Sequence, residues 1–147
     1  MKLQTWTWVV VADGTKYLIL RNVGWPDHLD LRVESHHEIK NPPTRELARD
    51  RSGIMTEHYQ RGLMSGMEQT DAHEARETAF AKALARNLNQ WAEQGRFKQI
   101  VICADPETLG EMRPAYRVPL KERLVGEIAK DLTNLTIPDI EGIVAAA

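Results

Sequence analysis

Two runs of the chain, Thr5-Trp6-Thr7-Trp8-Val9-Val10-Val11-Ala12 and Gln99-Ile100-Val101-Ile102-Cys103-Ala104, are apolar on both of their alternating faces. A strand without a polar side has to be covered above and below, so both runs belong in the middle of a sheet with other elements on either face. Their β-branched and aromatic residues suit a pleated surface. Asp13-Gly14 follows the first run and predicts a tight hairpin, because both residues tolerate positive φ. The return strand is Lys16 to Arg21. After a loop holding Gly24 and Pro26, Leu29, Leu31 and Val33 alternate with Asp30, Arg32 and Glu34, the one-faced pattern of an antiparallel strand nearer an edge.

From Lys40 to Thr70 the apolar period is lost, and Pro42, Pro43, Gly53, Gly62 and Gly66 punctuate a loop far longer than a usual connection. Asp71 and Glu74 have the spacing of an N-cap and its third helical residue, which predicts a helix from Asp71 to about Glu93 with Gly95 as its stop. Its buried stripe is Phe80, Leu84, Leu88 and Trp91, while Arg76, Lys82, Arg86 and Asn89 are expected to face away. Asp105-Pro106 is a cap followed by proline at the first helical position, opening a short helix through Met112. A weaker strand at Leu124 to Ile128 and a helix from about Pro138 to Ala145 complete a β-α-β-α second half with parallel pairing. The elements together predict an α/β fold: a mixed five-stranded sheet of ribonuclease H-like architecture, ordered 3-2-1-4-5. A three-strand antiparallel meander is joined there to parallel strands, with helices on the flanks. The 147 residues are the size of one domain, with a long loop at about 40–70.

The net charge of −2 offers no broad positive field to hold nucleic acid or anionic lipid, although a local basic patch is compatible with it. Cys103 is the only cysteine, so no intramolecular disulfide forms, and its apolar neighbours make it a small core residue. The first apolar run is short, holds two threonines and ends in Asp13-Gly14 without a small-x-small cleavage site, so it reads as a strand rather than an export signal. No segment has the length of a membrane-spanning helix. A cytoplasmic location without membrane insertion is expected.

The sharpest enzymatic reading uses Asp13 and Asp105. At the carboxyl ends of neighbouring strands, two carboxylates could hold Mg²⁺ for a nuclease reaction of ribonuclease H-like type. Hairpin chemistry explains Asp13 and helix capping explains Asp105 equally well, so no metal is assigned. His73-Glu74 lacks a second histidine one helical turn on and makes no zinc motif. His36 and His37 should point to opposite faces. His58 and His73 lie in or beside the long loop, where they could act as acid or base near neutral pH, but neither has a visible nucleophile partner. Arg45, Arg49, Arg51 and Arg61, with Tyr59 among them, could meet a phosphate backbone, although Glu46, Asp50 and Glu57 offset their charge. No glycine-rich phosphate loop is present, and no cofactor is expected. The residues therefore lean toward a protein that is not an enzyme.

Several pieces in order resemble the bacterial host-attachment protein family, named for being required for attachment to host cells. They are Trp8-Val9-Val10-Val11-Ala12-Asp13-Gly14, Met67-Glu68-Gln69-Thr70-Asp71-Ala72-His73-Glu74, Gly95-Arg96-Phe97 and Lys130-Asp131-Leu132-Thr133. The resemblance covers nearly the whole chain. That family is similar to the central domain of archaeal and eukaryotic peptide-chain release factors, in which the loop before the long helix carries a Gly-Gly-Gln tripeptide that promotes peptidyl-tRNA hydrolysis. The corresponding residues here, Gly53 to Thr70, contain no Gly-Gly-Gln. The resemblance thus implies an interaction or regulatory protein acting on attachment through an unnamed protein partner. It also implies, as an alternative, a ribosome or tRNA binder without hydrolytic activity. The surface carried over is Asp13, Thr70, Asp71, His73, Glu74 and Asp131, to which the basic loop adds Arg61.

Overall fold

The first apolar run forms β1 (Trp8–Ala12), which is buried at every position and lies at the centre of a five-stranded sheet. The computed structural model describes residues 1–39 and 66–147, with 66–70 described by their backbone alone. β1 pairs antiparallel with β2 (Lys16–Asn22), and β2 pairs antiparallel with β3 (Leu31–Glu38). On its other side β1 pairs parallel with β4 (Ile100–Ala104), and β4 with β5 (Leu124–Ile128). The order β3-β2-β1-β4-β5 is the expected one. β1 and β4 run in register, Trp8 beside Ile100 and Ala12 beside Ala104, so Asp13 and Asp105 leave the sheet side by side.

Two apolar layers cover the sheet. On one face α1 (Gly66–Glu93) sets Ala81, Leu84, Ala85 and Leu88 against Val10, Ala12, Ile19, Ile100 and Ile102. The short helices α2 (Pro106–Met112) and α3 (Val118–Arg123) extend that layer with Leu109, Met112 and Leu120. On the other face α4 (Ile137–Ala146) sets Ile140 and Val144 against Val9, Val11, Leu20, Val101 and Cys103. Cutting Leu84 or Leu88 to alanine costs about 2–5 kcal/mol by transfer and cavity terms. Gly95 ends α1 as its sequence indicates: at φ 70 it lets Arg96 N–H bond back to Trp91 O at 3.0 Å.

Five details differ from the sequence reading. Of the alternating Leu29, Leu31 and Val33, Leu31 is buried but Val33 is 50% exposed, because β3 is the sheet edge and is covered only at its start. The first strand begins at Trp8 rather than Thr5, because Trp6 takes φ 76 and breaks the extended run. α1 begins at Gly66, so Asp71 lies inside it and is not its cap; Met67, Glu68 and Gln69 are strong helix formers that carry the helix upstream of the cap-like spacing. Asn89 faces inward, donating to Ala115 O at 2.7 Å and accepting from Arg117 N at 2.9 Å. It thereby anchors α1 to a 3₁₀ turn at Arg113–Ala115 and to the start of α3, neither of which the apolar pattern signals. Finally, among the described residues only Trp6 and Gly95 have positive φ, so the turn after β1 is not the mirror-image hairpin that Asp13-Gly14 suggests.

Candidate functional site

The turn after β1 is closed by a side chain. Asp13 Oδ1 accepts from Thr15 N–H at 2.7 Å, from Lys16 N–H at 2.8 Å and from the Thr15 hydroxyl at 3.1 Å. Aspartate mimics a backbone turn in this way without needing positive φ. Its second oxygen, Oδ2, accepts from the Thr133 hydroxyl at 3.0 Å. Burial disfavours the charge on Asp13, but these four donors outweigh it and hold the carboxyl below its ordinary value.

Thr133 comes from the loop between β5 and α4, 120 residues along the chain. Its hydroxyl also lies 2.6 Å from Asp131 Oδ1, which accepts from Thr133 N–H at 2.9 Å. The Thr133 hydroxyl thus lies within hydrogen-bond distance of both carboxylates and donates its one proton to either in turn. The pieces Asp13-Gly14 and Asp131-Leu132-Thr133, remote in sequence, meet at the carboxyl end of the β1–β4 pair, where Lys16 Nζ also donates to Asn134 Oδ1 at 2.8 Å.

Gly14 is needed for proximity rather than for a turn. A Cβ there would lie 2.7 Å from Glu77 Cγ, so α1 at Glu77 rides directly over this turn. Burial first, then the charges of Glu107, Asp105 and Asp13, push the Glu77 carboxyl above its ordinary value, with His73 opposing them. Asp105 caps α2 as its sequence indicates, Oδ2 accepting from Thr108 N–H at 3.1 Å and Oδ1 from the Thr108 hydroxyl at 2.7 Å.

Of the residues singled out in the sequence, Asp13 and Asp131 are joined through Thr133, and His73 faces Glu77 electrostatically. Asp71 and Glu74 are exposed on α1. Thr70 is placed in α1 by its backbone only; Arg45, Arg49, Arg51, His58, Tyr59 and Arg61 lie outside the described residues. Both oxygens of Asp13 and of Asp105 already accept hydrogen bonds, and no group of three or more His, Cys, Asp or Glu among the described residues is placed to hold a metal ion. His36 and His37 lie in β3, where the His37 ring stacks at 6.1 Å on Phe80. Cys103 is buried, which pushes its thiol up to about 12 and keeps it neutral near pH 7. Glu77 and Glu107 carry no motif in the sequence, and Thr133 stands there only as the last residue of the piece Lys130-Asp131-Leu132-Thr133. Glu77 stands one helical turn after His73, a spacing readable in the sequence, whereas nothing local shows that the Thr133 hydroxyl reaches Asp13. What results is an acidic ridge in which the carboxylates of Asp13, Asp105 and Asp131 fix a turn, a cap and a loop.

No helix among the described residues is long and apolar enough to cross a membrane. The profile of bacterial archaeo-eukaryotic release factor family 12 matches residues 6–144. A search of curated proteins finds no match.

Proposed function

Because the chain belongs to bacterial archaeo-eukaryotic release factor family 12, we propose that it is a release-factor-like binder of the ribosome or of tRNA that does not itself hydrolyse peptidyl-tRNA. The family match over residues 6–144 carries this reading. Two features support its non-hydrolytic half. The sequence has no Gly-Gly-Gln, and Asp13 and Asp105, the acids best placed for chemistry, are engaged as a turn acceptor and a helix cap. The protein would act in the cytoplasm, and any effect on attachment to host cells would follow indirectly from loss of that partner.

Sedimentation of a lysate holding the tagged chain through a sucrose gradient tests the proposal. At low salt the chain is expected with ribosomal particles or tRNA, and rising salt should release it as counterions return to the RNA. An Arg49→Ala, Arg51→Ala, Arg61→Ala triple variant should bind less. A chain that stays at the top of the gradient at low salt, and is recovered with a protein partner but no RNA, would refute the translation reading in favour of a protein-interaction role.

A further inference from the structure

The opposite, amino end of the β1–β4 pair borders a cavity of about 380 Å³, within the size range of small-ligand sites. Its lining includes Trp6, Thr7, Arg21, Glu34, Arg96 and Lys98. Three cations against one acid is a local excess opposite to the net charge of −2. Arg96 and Lys98 form no ion pair among the described residues. Arg21 Nε lies 3.5 Å from Glu34 Oε2 yet makes no hydrogen bond.

Trp6 is 59% exposed and has φ 76, a conformation that bulky residues seldom adopt and that gathers at ligand sites. The surroundings enforce it. Trp6 N–H donates to Asn22 O at 2.6 Å, and the buried Asn22 Nδ2 donates to Leu3 O at 3.1 Å and Gln4 O at 3.3 Å. The Arg21 guanidinium sits 5.1 Å from the centre of the Trp6 ring. Thr7 is 2% exposed and its Oγ1 has no hydrogen-bond partner, a rare condition for a buried hydroxyl.

We propose that this cavity binds a nucleotide, with its base on the Trp6–Arg21 platform and its phosphate on Arg96 and Lys98. Aromatic rings and planar guanidinium groups stack unpaired bases, and paired cations hold phosphate. A simple anion would need no exposed ring held at a strained backbone position. The inference stands apart from the translation reading, since it rests on this cavity alone.

The test is fluorescence anisotropy of the purified full chain with an end-labelled single-stranded RNA of about eight nucleotides. Unlabelled DNA of the same sequence, AMP and inorganic phosphate serve as competitors at low salt. The chain binds the RNA, and binding weakens as salt rises. Trp6→Gly weakens it at least about tenfold while Tm stays level or rises, because glycine accepts φ 76. Arg96→Gln with Lys98→Gln weakens binding and flattens its salt dependence. AMP competing as well as the oligomers identifies a free nucleotide, and oligomers competing better identify a strand, with the RNA and DNA arms reporting the sugar preference. No binding by the wild-type chain, wild-type affinity in Trp6→Gly, or inorganic phosphate competing as well as AMP each overturns the proposal. Its failure is separable from that of the translation reading, because the gradient uses whole ribosomes and this assay only the purified chain and short ligands.

Discussion

The two ends of the β1–β4 pair both gather charged residues and put them to different use. At the carboxyl end acids predominate: Asp13, Asp105 and Asp131 each accept hydrogen bonds that close a turn, cap a helix or hold a loop. At the amino end Arg21, Arg96 and Lys98 surround a cavity, Arg96 and Lys98 form no ion pair among the described residues, and the Thr7 hydroxyl is buried without a partner. A side chain whose hydrogen-bonding capacity is used by its own fold has little left for a ligand, whereas buried capacity left unused is what a ligand can satisfy. The end richer in recognisable motifs is therefore the more structural one.

Among the polar side chains at the two ends, the largest stability effect should come from Asn22, which supports the amino end. Its buried side chain bonds Leu3 O and Gln4 O and accepts from Gly24 N–H and Asp30 N–H, both at 3.0 Å. Asn22→Ala strands these four groups and should cost about 3 kcal/mol or more, read as a fall in the urea midpoint, and should abolish nucleotide binding. Retention of binding would show that the amino end needs no such support.

Next in size is Asp13→Ala, expected to cost about 2 kcal/mol near pH 7 by removing a charged acceptor from its donors. The Asp13 carboxyl is lowered in the fold from the ordinary 3.8. Its contribution is therefore complete above that value and disappears as pH falls through the lowered one. Wild-type and variant stabilities should converge in acid. An Asp13→Ala chain as stable as the wild type at pH 7 would mean that the carboxyl end is not held by its acids, and the comparison would break.

Glu77→Gln should have the smallest effect and the opposite sign. A carboxyl raised in the fold costs stability above its folded value, so neutralising it should stabilise the chain near pH 7 by about a few tenths of a kcal/mol, because Glu77 is only partly buried and solvent screens its charge. The gain should shrink as pH falls through the raised value. Thermal melts across pH would check it, and a loss of stability at pH 7 would show Glu77 to be a favourable member of the ridge.

The strands, their order, the Asp105 cap and the Gly95 stop were all legible in the sequence because each rests on neighbours or on a short run: an uninterrupted apolar stretch, a proline after a cap, a glycine free to take positive φ. The start of α1 was misread because a cap-like spacing also occurs inside helices, and Asn89 because a polar residue on an apparently outer stripe can meet a turn that the apolar pattern does not reveal. The sequence by itself determined which segments needed cover on both faces, and so the sheet and its layers. Only the tertiary structure decided that Thr133 would bridge Asp13 and Asp131, that Glu77 would lie over Gly14, and that Trp6, Arg21, Arg96 and Lys98 would share one cavity. Hydrophobic periodicity specifies how much surface each element buries, but the contacts between distant loops are set by strand register and helix placement, which no local run of residues encodes.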